Sequence, residues 1–130
     1  MKHTFAQFLI AAPASGSGKT TISIGMMAAL VRRGRVVQPF KCGPDYIDTK
    51  YHGMACHRSS YNLDLFMATD SHVKAIYSEA SRGADICVVE GMMGLFDGFQ
   101  RQQGSAAHVA ATLHLPVILV VDASHTGSSV

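Results

Sequence analysis

The segment Ala12–Thr21 constrains this chain more than any other part of the sequence. It reads Ala-Pro-Ala-Ser-Gly-Ser-Gly-Lys-Thr-Thr, and it separates an apolar run from a segment with helical character. Its second half matches the end of the pattern G-x-x-x-x-G-K-[ST], with Pro13 in place of the first glycine. Gly16 and Gly18 let the backbone approach phosphate groups and turn its N–H groups towards them. We therefore predict a phosphate-binding loop rather than a simple Ser-Gly turn.

The residues of this loop have separate expected roles. Lys19 is expected to reach the β- and γ-phosphates of ATP, and the Thr20 hydroxyl is expected to ligate Mg²⁺. The positive end of the following helix adds to the attraction for phosphate. The predicted nucleotide-binding residues are Ser15, Gly16, Ser17, Gly18, Lys19, Thr20 and Thr21.

Apolar runs alternate with helical segments along the chain. Strands are predicted at 8–12, 36–40, 86–89 and 117–121, although Pro39 weakens the second. Helices are predicted at 19–33, 71–82 and 105–114. Residues 41–62 show no clear period and are interpreted as a functional loop. The alternation favours an α/β fold of the P-loop NTPase type, a mainly parallel sheet with helices on both faces.

Charged residues collect where the predicted strands end. Glu90 follows a buried strand, at the place of a magnesium-binding acid, and Asp45 and Asp48 lie after the second strand. Lys41 is placed to pair with a γ-phosphate or a substrate carboxylate. Each of these groups could instead be a capping or solvated side chain. His52 lies near Cys56 and His57, but their spacing matches no well-defined zinc site.

Composition excludes several classes of function. The 130 residues form one domain, and a net charge of +2 without charge runs does not suggest a nucleic-acid or membrane surface. No run of about 18 apolar residues or convincing signal peptide is present, which favours a cytoplasmic protein. Three cysteines, an odd number, argue against a disulfide framework.

Three further segments together resemble the cobyrinate a,c-diamide synthases. Residues 40–48 read Phe-Lys-Cys-Gly-Pro-Asp-Tyr-Ile-Asp, similar to the family's K-x-G-P-D-Y-I-D stretch. Residues 62–64 read Asn-Leu-Asp, and residues 90–98 resemble the family's E-G-x-x-G-L-[FY]-D-G loop. The Ala-Pro variant of the phosphate loop is also found there. The resemblance spans residues 9–122.

This resemblance implies a fold shared with dethiobiotin synthetase and a role in cobalamin biosynthesis. Such enzymes are ATP-dependent carbon-nitrogen ligases that amidate the a and c carboxylates of cobyrinic acid through a phosphorylated carboxylate. The ammonia comes from glutamine. The related hydrogenobyrinate and nickel-sirohydrochlorin diamide synthases share the motifs, so the tetrapyrrole stays open. A homodimer is compatible with this interpretation, and no nucleic-acid or membrane partner is expected.

The resemblance also implies roles for particular residues. It assigns Asp45, Asp48 and Glu90 to metal binding and to stabilising phosphorylated intermediates, and Lys41 completes the predicted catalytic set. Thr20, Asp48 and Glu90 are the expected Mg²⁺ ligands, and Tyr46, Asn62 and Asp64 are expected to line the tetrapyrrole site.

The chain departs from the family in one large respect. Family members carry a C-terminal glutaminase domain, whereas none of the three cysteines here lies in a G-x-C-x-G elbow. We expect residues 1–130 to be the ATP-binding synthetase domain of a longer protein, incomplete in activity by itself; ammonia supplied by another chain is the alternative.

Two other functions fit a P-loop. A switch ATPase of the partitioning type would carry an extra lysine early in the loop, where this chain has Ala14. A nucleotide-binding fragment without complete activity is the other hypothesis.

Overall fold

A computed structural model of the protein describes residues 6–128. Within this range the chain forms five strands and four helices in alternating order. They are β1 Ala6–Ala11, α1 Lys19–Arg32, β2 Val37–Cys42, α2 Asp48–Cys56, β3 Tyr61–Leu63, α3 Asp70–Ala80, β4 Ile86–Glu90, α4 Ala106–Leu113 and β5 Val117–Leu119.

The strands form one parallel sheet in the order β3-β2-β4-β1-β5. Alternate strand residues pack on opposite faces: Val89 joins a core with α3 and α4, and Val88 joins a second core with Met27 of α1. The predicted parallel α/β fold with helices on both faces is confirmed. Because all strands run the same way, the loops after β1, β2 and β4 meet at one edge of the sheet.

The interpretation of residues 41–62 as a loop without regular structure was wrong. This segment contains α2 and β3, which adds a fifth strand to the four predicted. The sequence of α2 shows no hydrophobic periodicity, because the helix buries His52 and Cys56 while Tyr51 and Met54 are exposed. A hydrophobicity pattern does not recognise a helix whose buried face includes a histidine.

The second predicted strand exists despite Pro39. Pairing of β2 with β3 begins only at Phe40, so the proline lies ahead of that ladder. The Pro39 carbonyl accepts a hydrogen bond from Gln38 Nε2 at 3.0 Å, and the same amide donates to Ser59 O at 2.8 Å. The N and O atoms of a strand residue point to the same side of the strand. The Pro39 nitrogen therefore points to the same side as its carbonyl, where no strand pairs with Pro39, and the missing N–H costs no ladder hydrogen bond.

The last strand is shorter than predicted, ending at Leu119 rather than Val121. Its neighbour β1 ends at Ala11, which pairs with Leu119. A final hydrogen bond runs from Val120 N to Ala11 O at 2.7 Å, and beyond it no backbone of β1 remains to continue the ladder.

The loop after β4 packs closely against the start of the phosphate loop. Leu95 N donates to Ala12 O at 2.8 Å, and Gly94 N donates to Asp97 Oδ2 at 2.8 Å. A Cβ atom at Gly94 would lie 2.5 Å from Pro13 O, which leaves no room for a side chain. The glycine therefore lets the two loops touch.

Two glycine substitutions should change stability in opposite directions. Gly94→Ala should lower the free energy of unfolding by about 1–3 kcal/mol, because the methyl group forces the two loops apart. Gly25→Ala is the matched control: this exposed glycine lies within α1 with open space around it, so alanine should raise the free energy of unfolding by about 0.5–1 kcal/mol. Urea denaturation followed by circular dichroism measures both. Equal effects from the two alanines would contradict the packing described for Gly94.

Candidate nucleotide and metal site

The phosphate loop joins β1 to α1 and has the backbone that anion binding requires. Gly16 and Gly18 have φ angles of 80° and 86°, in the left-handed region that favours glycine. Ser17 Oγ donates to Ala14 O at 3.1 Å, which braces the turn. The loop encloses a small cavity of about 230 Å³ at the N-terminus of α1, lined by Gly16, Gly18, Lys19, Thr20 and Thr21. This is the arrangement that binds phosphate groups at a helix N-terminus.

Strand register brings Lys41 and Glu90 together. They are direct partners on the adjacent parallel strands β2 and β4, so their side chains leave the sheet on the same face. That face is covered by α1, which supplies Thr20, and by α2, which supplies Asp48 and His52. Neighbouring strands and two helices therefore assemble the cluster.

Lys41 is a buried cation shared by two acids. Its Nζ lies 2.6 Å from Glu90 Oε2 and 2.8 Å from Asp48 Oδ2, and it donates to Gly91 O at 3.0 Å. Burial disfavours the charge on the ammonium, but the carboxylates of Glu90 and Asp48 outweigh burial and raise the pKa of Lys41. The lysine is therefore held protonated.

Glu90 is the most constrained acid of the cluster. Its side chain is fully buried, and besides Lys41 it accepts hydrogen bonds from Thr20 Oγ1 at 3.0 Å and from His52 Nε2 at 2.9 Å. Burial opposes the carboxylate charge, but the bond from His52 and the charge of Lys41 together lower the pKa of Glu90 to about 2. Glu90 is a carboxylate at any physiological pH.

The pKa of Asp48 shifts in the opposite direction to that of Glu90. Burial and the neighbouring Glu90 carboxylate raise the pKa of Asp48 in spite of the bond from Lys41. Asp45 lies farther away, with Oδ2 at 3.9 Å from Lys41 Nζ. Its Oδ1 accepts from the backbone N–H groups of Ile47 and Asp48 at 2.8 and 3.0 Å, and these bonds lower its pKa against the effect of burial. Asp45 thus shapes the turn that begins α2.

Lys19 stands beside this cluster with its side chain half-buried. Burial and the positive charge of Lys41 lower the pKa of Lys19, so an incoming anion would relieve the repulsion between the two ammonium groups. Lys19 lines both the small phosphate cavity and a second, larger cavity. It is the side chain that connects the two spaces.

The larger cavity has a volume of about 780 Å³ and a mostly apolar wall. Its charged side chains lie together at the cluster just described. Its lining consists of Lys19, Lys41, Pro44, Asp45, Tyr46, Ile47, Asp48, Phe66, Met92 and Met93. A space that is mostly apolar with a few charged groups at one side is typical of sites that bind small organic molecules.

Three residues predicted to line a substrate site occupy different surroundings. Tyr46 is 74% exposed and lines the large cavity. Asn62 uses its amide to donate to the carbonyl oxygens of Gly43 and Asp45 at 2.7 and 2.8 Å. Asp64 Oδ1 accepts from two backbone N–H groups in the turn that follows β3. Asn62 and Asp64 therefore hold local backbone, and their contact with a substrate stays a prediction.

The structure brings together most of the predicted site and adds one residue. Lys41, Asp48, Glu90 and Thr20 form a single contact network. His52 is a functional candidate that the sequence analysis did not identify. The sequence drew attention to it only through its spacing from Cys56 and His57, which matches no well-defined zinc site. The phosphate loop, the parallel sheet and the buried acid at the end of β4 together define a P-loop nucleotide-binding domain.

Comparison with known proteins agrees with this class. Residues 8–128 match the family model described as the CobQ/CobB/MinD/ParA nucleotide binding domain. The chain belongs to this family.

Diamide synthases of two organisms are among the curated proteins similar to the chain. It is 56% identical over 118 residues to a cobyrinate a,c-diamide synthase of Picrophilus torridus, covering 89% of this chain and 27% of the relative. It is 50% identical over 126 residues to a hydrogenobyrinate a,c-diamide synthase of Streptomyces coelicolor, covering 95% and 26%. The chain thus spans about a quarter of the length of these relatives.

One similar solved structure is that of the signal recognition particle 54 kDa protein of Aeropyrum pernix in complex with GDP. The TM-score is 0.63 with 24% identity, and the match covers 95% of this chain and 30% of that one. At this identity the likeness concerns the fold. Separately, no helix within residues 6–128 is long and apolar enough to cross a membrane.

The charge on Glu90 should make stability depend on acid pH. Because its folded pKa lies near 2 and its ordinary value is 4.5, ionised Glu90 stabilises the fold above about pH 4.5, and this contribution disappears as the pH falls towards 2. Across this pH window, the contribution of Glu90 to the free energy of unfolding falls by an amount on the order of 2–3 kcal/mol. Glu90→Gln should flatten the stability profile in this window, whereas Glu79→Gln, on the exposed face of α3, should not. Urea denaturation at several pH values measures the slopes; parallel profiles for wild type and Glu90→Gln would contradict the assignment.

Proposed function

We propose that this chain is the ATP- and Mg²⁺-binding part of a ligase that amidates the a and c carboxylates of cobyrinic acid or a related tetrapyrrole. The observation that carries the proposal is the position of the Lys41–Asp48–Glu90 cluster between the phosphate cavity and the large apolar cavity. A ligase of this kind must bring a γ-phosphate and a substrate carboxylate, two anions, to one place. Similarity to diamide synthases of two organisms supports the choice of substrate.

In the proposed reaction, a carboxylate oxygen of the substrate attacks the γ-phosphorus of ATP and the bond to ADP breaks. Ammonia then attacks the carbonyl carbon of the acyl phosphate, inorganic phosphate leaves, and an amide remains. Lys19 and the backbone N–H groups of the loop would hold the phosphates, and Lys41 would neutralise charge where the two anions meet. Lys41 is suited to this role because it stays protonated although it is buried.

The oxygen atoms around Glu90 fit a magnesium ion. Thr20 Oγ1 and Glu90 Oε2 are 3.0 Å apart, close to the separation of about 2.9 Å expected for neighbouring ligands of octahedral Mg²⁺. Asp48 provides a further carboxylate, whose Oδ2 lies 2.8 Å from Lys41 Nζ. When bound, Mg²⁺ would neutralise charge on the ATP phosphates. We assign Thr20, Asp48 and Glu90 to hold it, directly or through water.

The large cavity is our candidate for the tetrapyrrole site. Its volume of about 780 Å³ lies within the usual range for sites that bind small organic molecules. An apolar macrocycle would contact Tyr46, Phe66 and the methionine side chains, with a peripheral carboxylate directed at the lysines. Asp45 would stabilise the phosphorylated intermediate, and Asn62 and Asp64 would shape or contact this site.

We propose that the ammonia is made elsewhere, in a glutaminase domain outside this chain. All three cysteines, Cys42, Cys56 and Cys87, are buried, and burial raises the pKa of each thiol. A glutaminase nucleophile needs an accessible thiolate. Residues 1–130 would then be the ATP-binding synthetase domain of a longer protein. A cytoplasmic location and a homodimer also stay predictions from the sequence.

There are three alternatives to the amidation of cobyrinic acid. Hydrogenobyrinate as substrate is favoured by the Streptomyces coelicolor relative, whose identity to this chain is nearly as high as that of the cobyrinate enzyme. A partitioning-type switch ATPase is disfavoured because Ala14 replaces the extra lysine. Nickel-sirohydrochlorin is a third tetrapyrrole for the same site.

Lys19→Ala should weaken binding of ATP with Mg²⁺ by about 10- to 150-fold, because it removes a charge-assisted contact worth about 1.5–3 kcal/mol. Lys50→Ala is the matched control, since Lys50 is an exposed lysine on α2. Isothermal titration calorimetry with the 130-residue chain measures both. Unchanged affinity in folded Lys19→Ala would refute the phosphate-binding role.

Glu90→Gln in the full-length protein should reduce amide formation by about 10²- to 10³-fold, because a charge used in the transition state is lost. The assay supplies ATP, Mg²⁺ and either cobyrinic or hydrogenobyrinic acid, with ammonium or glutamine as nitrogen source, and mass spectrometry detects the amides. Glu79→Gln is the matched control. Failure of every tetrapyrrole to stimulate ATP hydrolysis or to be amidated would overturn the proposed function.

A further inference from the structure

His52 is a fully buried side chain to which the proposed function gives no role. Both of its ring nitrogens have hydrogen-bond partners: Nε2 lies 2.9 Å from Glu90 Oε1, and Nδ1 lies 3.0 Å from Ser60 Oγ. The histidine therefore connects the segment before β3 to the acid at the end of β4. His52 belongs to α2, and the two bonds of its ring are made to Ser60 and Glu90 rather than to the phosphate loop.

We propose that His52 is a positioning residue, which holds one oxygen of Glu90 so that the other faces Thr20 and Lys41. The proposal rests on the metal-binding role assigned to Glu90 in the proposed function. It adds a residue that acts through Glu90 and does not itself touch nucleotide or metal.

The two oxygens of Glu90 have separate partners, and this division is what His52 maintains. Oε1 is bonded by His52, whereas Oε2 is bonded by Thr20 Oγ1 and Lys41 Nζ. Without a donor at Oε1, that oxygen would be buried without a hydrogen-bond partner, which is unfavourable. The carboxylate would then gain by turning both oxygens towards the ammonium of Lys41. Such a rotation would move Oε2 away from Thr20, and the pair of oxygens suited to Mg²⁺ would be lost.

Ser60 fixes the orientation of the imidazole ring. Because the Glu90 carboxylate can only accept, Nε2 must carry the proton that it donates. In the neutral ring Nδ1 is then an acceptor, and the Ser60 hydroxyl can donate to it. Outer partners of this kind are known to orient metal-binding side chains, and their loss typically costs 10- to 100-fold in metal affinity.

Two substitutions separate the two bonds of the imidazole. His52→Gln places an amide near the position of Nε2, so it can still donate to Glu90. His52→Asn places its amide near the position of Nδ1, so it can still reach Ser60 but not Glu90. The measured quantity is the Mg²⁺ enhancement, defined as the Kd of ATP in EDTA divided by the Kd of ATP with Mg²⁺, determined by calorimetry on the 130-residue chain.

His52→Asn should reduce the Mg²⁺ enhancement by about tenfold or more, and His52→Gln by less than about threefold. Affinity for ATP in EDTA should change little in either variant, since the phosphate loop is intact. Equal enhancement in His52→Asn and the unsubstituted chain would overturn this inference and leave the proposed function standing. An unsubstituted chain without any Mg²⁺ enhancement would instead overturn the metal-binding role of Glu90, and this inference with it.

A double-mutant comparison distinguishes positioning from a general structural effect. In a Glu90→Gln background, His52→Asn should change the enhancement by less than about twofold, because the carboxylate through which His52 acts is gone. A full tenfold effect in that background would contradict the proposed route. If urea denaturation shows that His52→Asn does not fold, Ser60→Ala carries the test: it should lower the enhancement in the same direction, by about threefold, and no change would overturn the inference.

Discussion

The charge of Glu90 is the constraint on which the site depends. A carboxylate that is fully buried at the end of the central strand β4 must be compensated, because an unpaired charge there would cost far more than the stability of a domain of this size allows. Three elements supply the compensation: Lys41 from β2, Thr20 from α1 and His52 from α2. The same interactions therefore stabilise the packing of α1 and α2 on the sheet and prepare a cluster of oxygens and cations at its edge.

This cluster gives the site its chemical character. Lys41 and Lys19 present positive charge to two cavities, one shaped by the phosphate loop and one with an apolar wall. Burial and the positive charge of Lys41 lower the pKa of Lys19, so an incoming anion would relieve the repulsion between the two ammonium groups. In the proposed function, phosphates and Mg²⁺ would become additional partners of these same side chains.

Sequence reasoning predicted the parts of the structure that follow from local pattern. The phosphate loop, the parallel sheet and the acid at the end of β4 each come from a short segment with a clear physical rule. It failed for α2, because that helix buries His52 while exposing Tyr51 and Met54, the reverse of an ordinary hydrophobic pattern. The bond between His52 and Glu90 joins residues 38 positions apart, and no spacing rule within a single sequence reveals such a contact.

The central claim is that Thr20 and Glu90 hold a metal beside nucleotide phosphates in the loop. A crystal structure of the chain with Mg²⁺ and a non-hydrolysable ATP analogue tests it most directly. The account predicts β- and γ-phosphates against Lys19 and a metal ion ligated by Thr20 Oγ1, with the Glu90 carboxylate bound to the ion or to one of its waters and still bonded to His52. A metal ion held away from Glu90, or phosphates outside the loop, would contradict it.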